Sequence, residues 1–363
     1  MSRRERVKKA MDFEEPDRVP IYNPMSWTIN FAGNNMNCLG QKEKDINSNQ
    51  WLNNVDVHVD SLIKSFDHLD YDIIMPYLGE DVLFEAMGCT VTIPDWDAPV
   101  ISKTPIDNIK DWENLNFPAM DHEKMLKQYD AIRMVEKELN TKRDEDIFIS
   151  GTIGASPFTF AGVVLGMDKF MYSLITNPDE AKELIEFCTD VTTEYAKAQI
   201  DAGADQIWAA DPTASGSLIS PEMFREFALP YAKKQSKEIQ KYKDKYAYHY
   251  HICGETQDRL EDLIAVESSM ISLDNRVSFK EVKEKAGDKL CMVGNINPVD
   301  IVCFGTPEAV EQAGKQCISD AASGGGFIYW AGCDFAYDCP LENIEKFYEV
   351  PQSYGNYPIS NTE

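Results

Sequence analysis

The sequence predicts a single (β/α)8 TIM barrel of the α/β class, with a helical extension at its N-terminus. Short runs of β-branched and aromatic residues alternate with longer segments of helical periodicity, which is typical of parallel strands joined by helices. Eight such runs are present, and eight strands close a barrel of this type. Polar residues follow most of the runs, at the end of the barrel where active sites lie.

The predicted strands are short and largely apolar, as expected for parallel strands that are covered on both faces. They cover residues 18–22, 72–77, 147–150, 205–209, 246–251, 270–273, 290–293 and 327–330. The segments between them are a dozen or more residues long, which is what a helix needs to cross from one parallel strand to the next.

Three of the predicted helices have strong start signals. Asn177, Ser220 and Thr306 are each followed by a proline and then by an acidic residue. A polar N-cap, a proline at the first helical position and negative charge in the first turn all favour the start of a helix. We expect a long helix after each of these three residues.

The chain is predicted to form one domain. It contains no internal repeat of fixed period and no linker rich in glycine, serine or proline, which are the usual signs of repeat or multidomain organisation. We expect residues 1–350 to form the barrel, with the N-terminal helices within residues 1–66. Residues 351–363 are expected to form a C-terminal tail.

The charge balance excludes some classes of partner. The 61 acidic residues outnumber the 35 Lys and Arg residues, which gives a net charge of -26, and no block of basic residues offers a surface for phosphate backbones or anionic lipids. We therefore expect no nucleic-acid and no membrane partner. A charged N-terminus without a signal-peptide core favours a cytoplasmic location. Nine scattered cysteines without a Cys-x-x-Cys pair argue against a disulfide framework.

Polar residues suited to chemistry stand at or just past the predicted strand ends. They are Asn23, Glu80, Asp211, His251, Cys253, Asp274, Asn295 and Cys333. Because a barrel brings these strand ends together at one mouth, we expect several of these side chains to meet there.

His251 and Cys253 are separated by one residue at the end of the fifth predicted strand, and Cys333 follows the eighth. Since side chains alternate along a strand, His-x-Cys places both on the same side. A third ligand from another strand would give three protein ligands and an open position, which is typical of a reactive zinc. The spacing alone also fits a core histidine and two packed cysteines. Cys339 is a weaker alternative ligand.

Seven short motifs are spread over almost the whole chain. They begin at Asp17 (Asp-Arg-Val-Pro), Ser156 (Ser-Pro-Phe-Thr-Phe-Ala-Gly), Ala202 (Ala-Gly-Ala-Asp), Ala210 (Ala-Asp-Pro-Thr-Ala-Ser), Ser220 (Ser-Pro-Glu-Met-Phe-Arg-Glu-Phe), His251 (His-Ile-Cys-Gly) and Val293 (Val-Gly-Asn-Ile-Asn-Pro). Together they resemble the motifs of the uroporphyrinogen decarboxylase superfamily. The resemblance implies a single barrel with N-terminal helices packed on it.

Within that superfamily, the sequence is more similar to the corrinoid-dependent methyltransferases, namely the methylcobamide:coenzyme M methyltransferases and O-demethylase methyltransferases. This resemblance rests on the motifs at Ala210 and His251 and on the late Gly-Cys at Cys333. It implies a Zn²⁺ ion held by His251, Cys253 and Cys333, and a corrinoid (cobamide) as second cofactor. Because no Asp-x-His-x-x-Gly run is present, we expect a partner corrinoid protein to carry the cobamide and to dock over the barrel mouth.

Two departures from the superfamily pattern bear on the substrate. The arginine-rich signature of the decarboxylases is absent after the first strand, and an apolar, uncharged loop containing Trp27 and Phe31 stands in its place. The segment after the eighth strand is unusually aromatic. We predict that Trp27, Phe31 and Asp334 line a pocket for a methoxylated aromatic substrate. The alternative is that these aromatic side chains only cap the barrel.

Four further roles are assigned. Asp211 is the candidate carboxylate that handles a proton or supports the site, because the superfamily places an acidic residue after this strand. Asn295 is expected to orient the substrate, and Tyr337, with Asp334, to give a proton to a departing phenoxide. Asp274 is a candidate fourth zinc ligand that exchanges with substrate.

The function predicted from these residues is zinc-dependent transfer of a methyl group between a small substrate, a methoxylated aromatic ether, and a corrinoid protein. An alternative is transfer from methylcorrinoid to a thiol, which a site with two thiolates would favour. An alternative of another class is a uroporphyrinogen decarboxylase-like reaction, which needs no metal. A purely binding role for the barrel has no positive support in the sequence.

Overall fold

The computed structural model describes residues 1–23, 36–37, 41–42, 48–79, 81–94, 99–335 and 339–359. Its centre is an eight-stranded parallel sheet in which every strand pairs with the next one along the chain. A parallel bridge between Ile21 and Tyr329 joins the last strand to the first. The predicted (β/α)8 barrel is therefore confirmed.

All eight predicted strands are present, with shifted ends. They are β1 (Tyr22–Asn23), β2 (Ile73–Ile74), β3 (Phe148–Ala155), β4 (Gln206–Ala210), β5 (Tyr248–Ile252), β6 (Met270–Leu273), β7 (Met292–Ile296) and β8 (Phe327–Ala331). β3 runs five residues past its predicted end through a segment that is buried throughout. β7 includes Asn295, which the sequence placed after the strand.

Helices cover the outside of the barrel and its two ends. Those of α type are Arg3–Met11, Ser48–Asn53, Val55–Leu69, Asp81–Ala86, Glu123–Val135, Pro157–Leu165, Met167–Thr176, Pro178–Asp201, Pro221–Met223, Leu229–Tyr242, Leu260–Ile264, Phe279–Ala286, Pro307–Ala321 and Leu341–Tyr354. Short 3₁₀ turns are Ile109–Asn114, Pro212–Ala214 and Gln257–Arg259, and π turns are Glu136–Lys142, Phe224–Ala228 and Pro298–Cys303. Two antiparallel strand pairs, Met36–Asn37 with Gln41–Lys42 and Thr90–Thr92 with Val100–Lys103, lie outside the barrel sheet.

The three predicted helix starts are confirmed. Asn177 precedes Pro178–Asp201, the Ser220 hydroxyl accepts a hydrogen bond from Met223 N, and the Thr306 hydroxyl accepts one from Ala309 N. These bonds satisfy backbone donors that have no partner within the helix.

The N-terminal helix Arg3–Met11 lies across the amino-terminal ends of the strands. Its backbone forms hydrogen bonds with Asp146, two residues before β3, and with Gly326, directly before β8. Arg4 pairs with Asp205, just before β4. Just before β2, the fully buried Asp72 accepts hydrogen bonds from Arg6 (2.7 Å), Arg18 (2.7 Å) and the backbone N–H of Ile21 (2.8 Å). The helix therefore closes this end of the barrel.

The boundary predicted after residue 350 falls inside the helix Leu341–Tyr354. Pro351 is buried, and the Tyr357 hydroxyl donates a hydrogen bond to the carbonyl of Ala322. The first part of the expected tail therefore packs on the barrel.

Within the described ranges, no single helix is both long and apolar enough to cross a membrane. The pair Pro157–Leu165 and Met167–Thr176 meets the length and composition criteria only when taken together, and it is bent by 108°. Most of the first of these helices is buried inside the protein.

Candidate metal centre

Three side chains with metal-binding atoms meet at the carboxyl end of the barrel. His251 lies in β5, Cys253 follows that strand, and Cys333 lies two residues after β8. One ligand atom from each side chain lies within 4.8 Å of the others. The structure thus brings together the three residues that the sequence singled out as zinc ligands.

The chemistry of this group fits zinc. Zn–S bonds of about 2.3 Å and Zn–N bonds of about 2.0 Å in a tetrahedral site separate neighbouring ligand atoms by roughly 3.5–3.8 Å. The three side chains meet this spacing with small adjustments, because their ligand atoms already lie within 4.8 Å of one another. Three protein ligands leave a fourth position for a substrate, as in catalytic zinc sites.

A glycine beside each cysteine lets the surrounding loops pack closely. Gly254 has a φ of +88°, and a Cβ there would lie 2.8 Å from the hydroxyls of Ser215 and Ser217. A Cβ on Gly332 would lie 2.5 Å from the backbone nitrogen of Asn275. Larger residues at either position would displace the loop that carries the adjacent cysteine.

The two thiols affect each other's ionisation. A hydrogen bond with Cys253 and burial raise the pKa of Cys333 well above its ordinary value, and the nearby imidazole of His251 opposes this only in part. Two neighbouring thiolates repel, so a cation close to both favours their ionisation. A bound metal ion supplies that charge.

Aromatic rings form the wall around His251. The Trp208 ring lies 5.2 Å from the imidazole at an interplanar angle of 25°, and the Trp330 ring lies 5.4 Å away at 54°. Tyr22 packs edge-on against Trp330 at 5.6 Å and lies 5.3 Å from the ring of His249. The three candidate ligands His251, Cys253 and Cys333, called the metal group below, therefore face an apolar, aromatic barrel interior.

Ser272 on β6 contacts both barrel histidines. Its hydroxyl oxygen lies 2.6 Å from Nδ1 of His251 and 3.0 Å from Nε2 of His249. Sequence reasoning missed this residue. The available signal was a single polar residue in the apolar strand Met270–Leu273, but its partner depends on the register between β5 and β6.

Asp211 faces away from the metal group. Ala210 pairs with His251 across β4 and β5, and the next side chain points outward, toward the helix Pro157–Leu165. There the buried carboxylate accepts hydrogen bonds from the backbone N–H (3.1 Å) and hydroxyl (2.6 Å) of Thr159 and from the hydroxyl of Tyr250 (2.7 Å). Asp211 thus joins β4, β5 and the start of a helix.

We expect Asp211→Asn to reduce the pH dependence of stability. Burial raises the pKa of Asp211 from 3.8 to about 6, so between these values the folded protein binds more protons than the unfolded chain. The free energy of unfolding must then fall as the pH rises through this window, and a difference of about two pKa units corresponds to about 3 kcal/mol. Asparagine does not titrate, so the variant should lack this contribution to the pH dependence of the free energy of unfolding.

The measurement is urea unfolding of the parent and of Asp211→Asn at several pH values from 4 to 7. The free energy of unfolding of the variant, relative to that of the parent, should grow with pH and level off above about pH 6. Asp60→Asn, which changes an exposed carboxylate, is the matched control. Parallel curves for the parent and Asp211→Asn would contradict the prediction.

The remaining predicted site residues have other contacts, or lie outside the described residues. Asp274 accepts hydrogen bonds from the backbone N–H groups of Gly254 (2.8 Å) and Arg276 (3.0 Å). The Asn295 amide donates to the carbonyls of Asp274 and Val277. These bonds fix the loops around the cysteines.

The carboxylate of Asp334 accepts a hydrogen bond from the backbone N–H of Phe335. Trp27, Phe31 and Tyr337 lie outside the described residues, so the roles assigned to them stay predictions.

Cys339, the alternative ligand, does not belong to the metal group. A disulfide joins it to Cys303, at the end of the π turn Pro298–Cys303 after β7. The sequence analysis argued against a disulfide framework and did not indicate this pair, whose members are 36 positions apart. The pair links the loop that carries Cys333 to the neighbouring strand connection.

Comparisons with known proteins agree with this fold. The model of the uroporphyrinogen decarboxylase (URO-D) family matches residues 2–354. The methylcobamide:CoM methyltransferase MtbA of Methanosarcina mazei is 32% identical over 74% of this chain and 76% of its own length. A uroporphyrinogen decarboxylase of Coxiella burnetii is 24% identical over 99% of this chain and 96% of its own.

A solved structure of a methyltransferase from Methanosarcina mazei has the same fold. It superimposes with a TM-score of 0.83 at 23% identity, covering 98% of this chain and 99% of that one. The family model and the 32%-identical relative establish the family of the chain in addition to its fold. The chain therefore belongs to the uroporphyrinogen decarboxylase family, as its motifs predicted, and its relatives there include methylcobamide:CoM methyltransferases.

Proposed function

We propose that this protein transfers a methyl group between a small substrate and a corrinoid carried by a separate protein, with a Zn²⁺ ion held by His251, Cys253 and Cys333. The observation that carries the proposal is this three-residue group at the barrel mouth, in a chain with methylcobamide:CoM methyltransferase relatives. When bound, zinc supplies Lewis acidity, which lowers the pKa of a thiol or makes an ether oxygen a better leaving group.

The protein's own residues would prepare the site for this chemistry. His251 and the two cysteines occupy three positions around the ion and leave one for the substrate. Trp208 and Trp330 keep water away from the imidazole, and a drier site strengthens electrostatic interactions within it. Gly254 and Gly332 allow the two cysteine loops to approach.

The aromatic wall supports an uncharged aromatic substrate, and the arginines oppose a polycarboxylate. Rings of Trp208, Trp330 and Tyr22 make the surroundings of the metal group apolar and aromatic, which suits an uncharged methoxylated arene better than a polyanion. Recognition of several carboxylates calls for free arginine clamps. All nine arginines of the chain already pair with an Asp or Glu of the protein.

On the mouth side of the barrel, Arg276 pairs with Glu255 at 3.5 Å. The buried Arg259 donates hydrogen bonds to the carbonyls of Ala214 and Ile219. This argues against the decarboxylase alternative, whose tetrapyrrole substrate carries several carboxylates.

Transfer from methylcorrinoid to a thiol is the second candidate. Two thiolates and one imidazole cancel the formal charge of Zn²⁺, which weakens its Lewis acidity and favours activation of a bound thiol over cleavage of an ether. The MtbA relative, which is named for transfer between methylcobamide and CoM, supports the same direction. The two candidates differ in which molecule gives up the methyl group.

Anaerobic assays with the zinc-loaded protein separate these candidates. With cob(I)alamin and a panel of methoxyarenes, we expect the visible spectrum of methylcob(III)alamin to appear, at a rate that depends on zinc. Thiol methylation from methylcob(III)alamin, with no reaction of any methoxyarene, would support the second candidate instead. Absence of bound zinc, together with decarboxylation of a porphyrinogen, would reject both.

A further inference from the structure

The contact between Ser272 and the two histidines lies inside the barrel, next to the candidate metal ligand. Ser272 is fully buried and pairs in register with His251 across β5 and β6. Its hydroxyl therefore projects from a strand of the barrel wall, at a fixed distance from the imidazole. A strand holds a side chain more rigidly than a loop does.

The contact with Ser272 bears on which nitrogen of His251 is free. A neutral imidazole has one N–H and one lone pair, and Nδ1 lies 2.6 Å from the serine oxygen. Nδ1 can therefore carry the proton and donate it to Ser272, which leaves the lone pair of Nε2 for a metal ion. A half-turn of the ring would break this bond and put a carbon atom in place of Nε2.

The second histidine can accept the remaining proton of this chain of hydrogen bonds. Once the Ser272 oxygen accepts from His251, its own O–H is free to donate to Nε2 of His249, 3.0 Å away. His249 then carries its proton on Nδ1, an atom that is buried and has no hydrogen-bond partner within the described part of the chain. One arrangement of protons thus satisfies both bonds to the serine.

We propose that Ser272 is a positioning residue: it holds His251 with Nε2 toward the metal, and His249 fixes the orientation of the serine hydroxyl. This inference deepens the proposed function and rests on its zinc site. Hydrogen bonds to the second nitrogen of a ligating histidine commonly set its orientation, and their loss typically costs about 10- to 100-fold in metal affinity.

The test compares Ser272→Ala with Ser269→Ala. Ser269 stands just before the same strand, and its partly buried hydroxyl donates to the carbonyls of Tyr246 and Tyr248, so it controls for loss of a serine hydroxyl between β5 and β6. Zinc affinity is measured by competition with a chelator, and ligand geometry by the visible spectrum of the Co²⁺-substituted protein. Neither readout depends on methyl transfer.

We expect Ser272→Ala to bind zinc about 10- to 100-fold more weakly and to shift the Co²⁺ bands. Ser269→Ala should keep the parental affinity within about two-fold, and Ser272→Thr, which retains a hydroxyl, should recover most of the loss. Parental affinity and an unchanged Co²⁺ spectrum in Ser272→Ala would overturn the inference but leave the zinc site intact. A parent that binds no metal would overturn both.

Discussion

Replacing Cys333 with alanine is expected to reduce the zinc content from about one ion per chain to almost none. The substitution leaves only His251 and Cys253 of the three clustered ligands, and two ligands do not hold zinc against the solvent. Methyl transfer should fall by more than about 100-fold, since loss of a residue that merely supports a ligand already costs up to that much. Metal analysis and the corrinoid assay measure the two effects.

Two other cysteines provide matched controls for Cys333→Ala. Cys317 is buried outside the metal group, where its thiol donates to the carbonyl of Gly294, and burial raises its pKa to about 12. Cys339 is paired with Cys303. Cys317→Ala and Cys339→Ala should retain zinc, while Cys253→Ala should lose it. A Cys333→Ala protein with a full complement of zinc would refute the proposed centre.

Replacing Asp72 with asparagine is expected to lower the free energy of unfolding by about 3–5 kcal/mol. The buried carboxylate neutralises Arg6 and Arg18, whose side chains are only 9% and 13% exposed. Asparagine has almost the same shape, but it leaves buried positive charge without enough compensation and presents an amide to the guanidinium groups. Urea unfolding at neutral pH measures the loss.

Asp60→Asn serves as the control for this second substitution. Asp60 pairs with Lys64 on the surface of a helix, with both side chains about half exposed, and such pairs contribute about 0.5 kcal/mol or less. Asp72→Asn should bind zinc as the parent does, because the metal group lies at the other end of the strands. A loss of stability below about 1 kcal/mol would show that the Asp72 network contributes little.

The sequence was sufficient to predict the eight strands, because parallel strands covered on both faces must be apolar runs of limited length. It also indicated His251 and Cys253, since alternation along a strand relates residues two positions apart. The assignment of Cys333 needed the resemblance to a family, because its neighbours in space come from a strand about 80 residues earlier.

The outward direction of Asp211 and the contacts of Ser272 could not be predicted. The contacts of Ser272 depend on the register between β5 and β6, and the direction of Asp211 depends on which residues of β4 face the barrel interior, and the sequence pattern specifies neither. Asp211 does follow a strand as expected, but alternation turns it toward the helix Pro157–Leu165 and away from the metal group. A residue's place after a strand therefore predicts its position along the barrel axis, but it does not predict whether the side chain points inward or outward.

The helix Arg3–Met11 lies across the starts of the strands and closes that end of the barrel. The metal group can therefore be reached only from the opposite end. Under the proposed function, a small substrate, its product and a corrinoid protein must then share one entrance. A protein seated on that entrance would confine whatever is inside, so the small molecule has to arrive first and its product can leave only after the protein departs. The dissociation and rebinding of the corrinoid protein would then limit the rate of turnover.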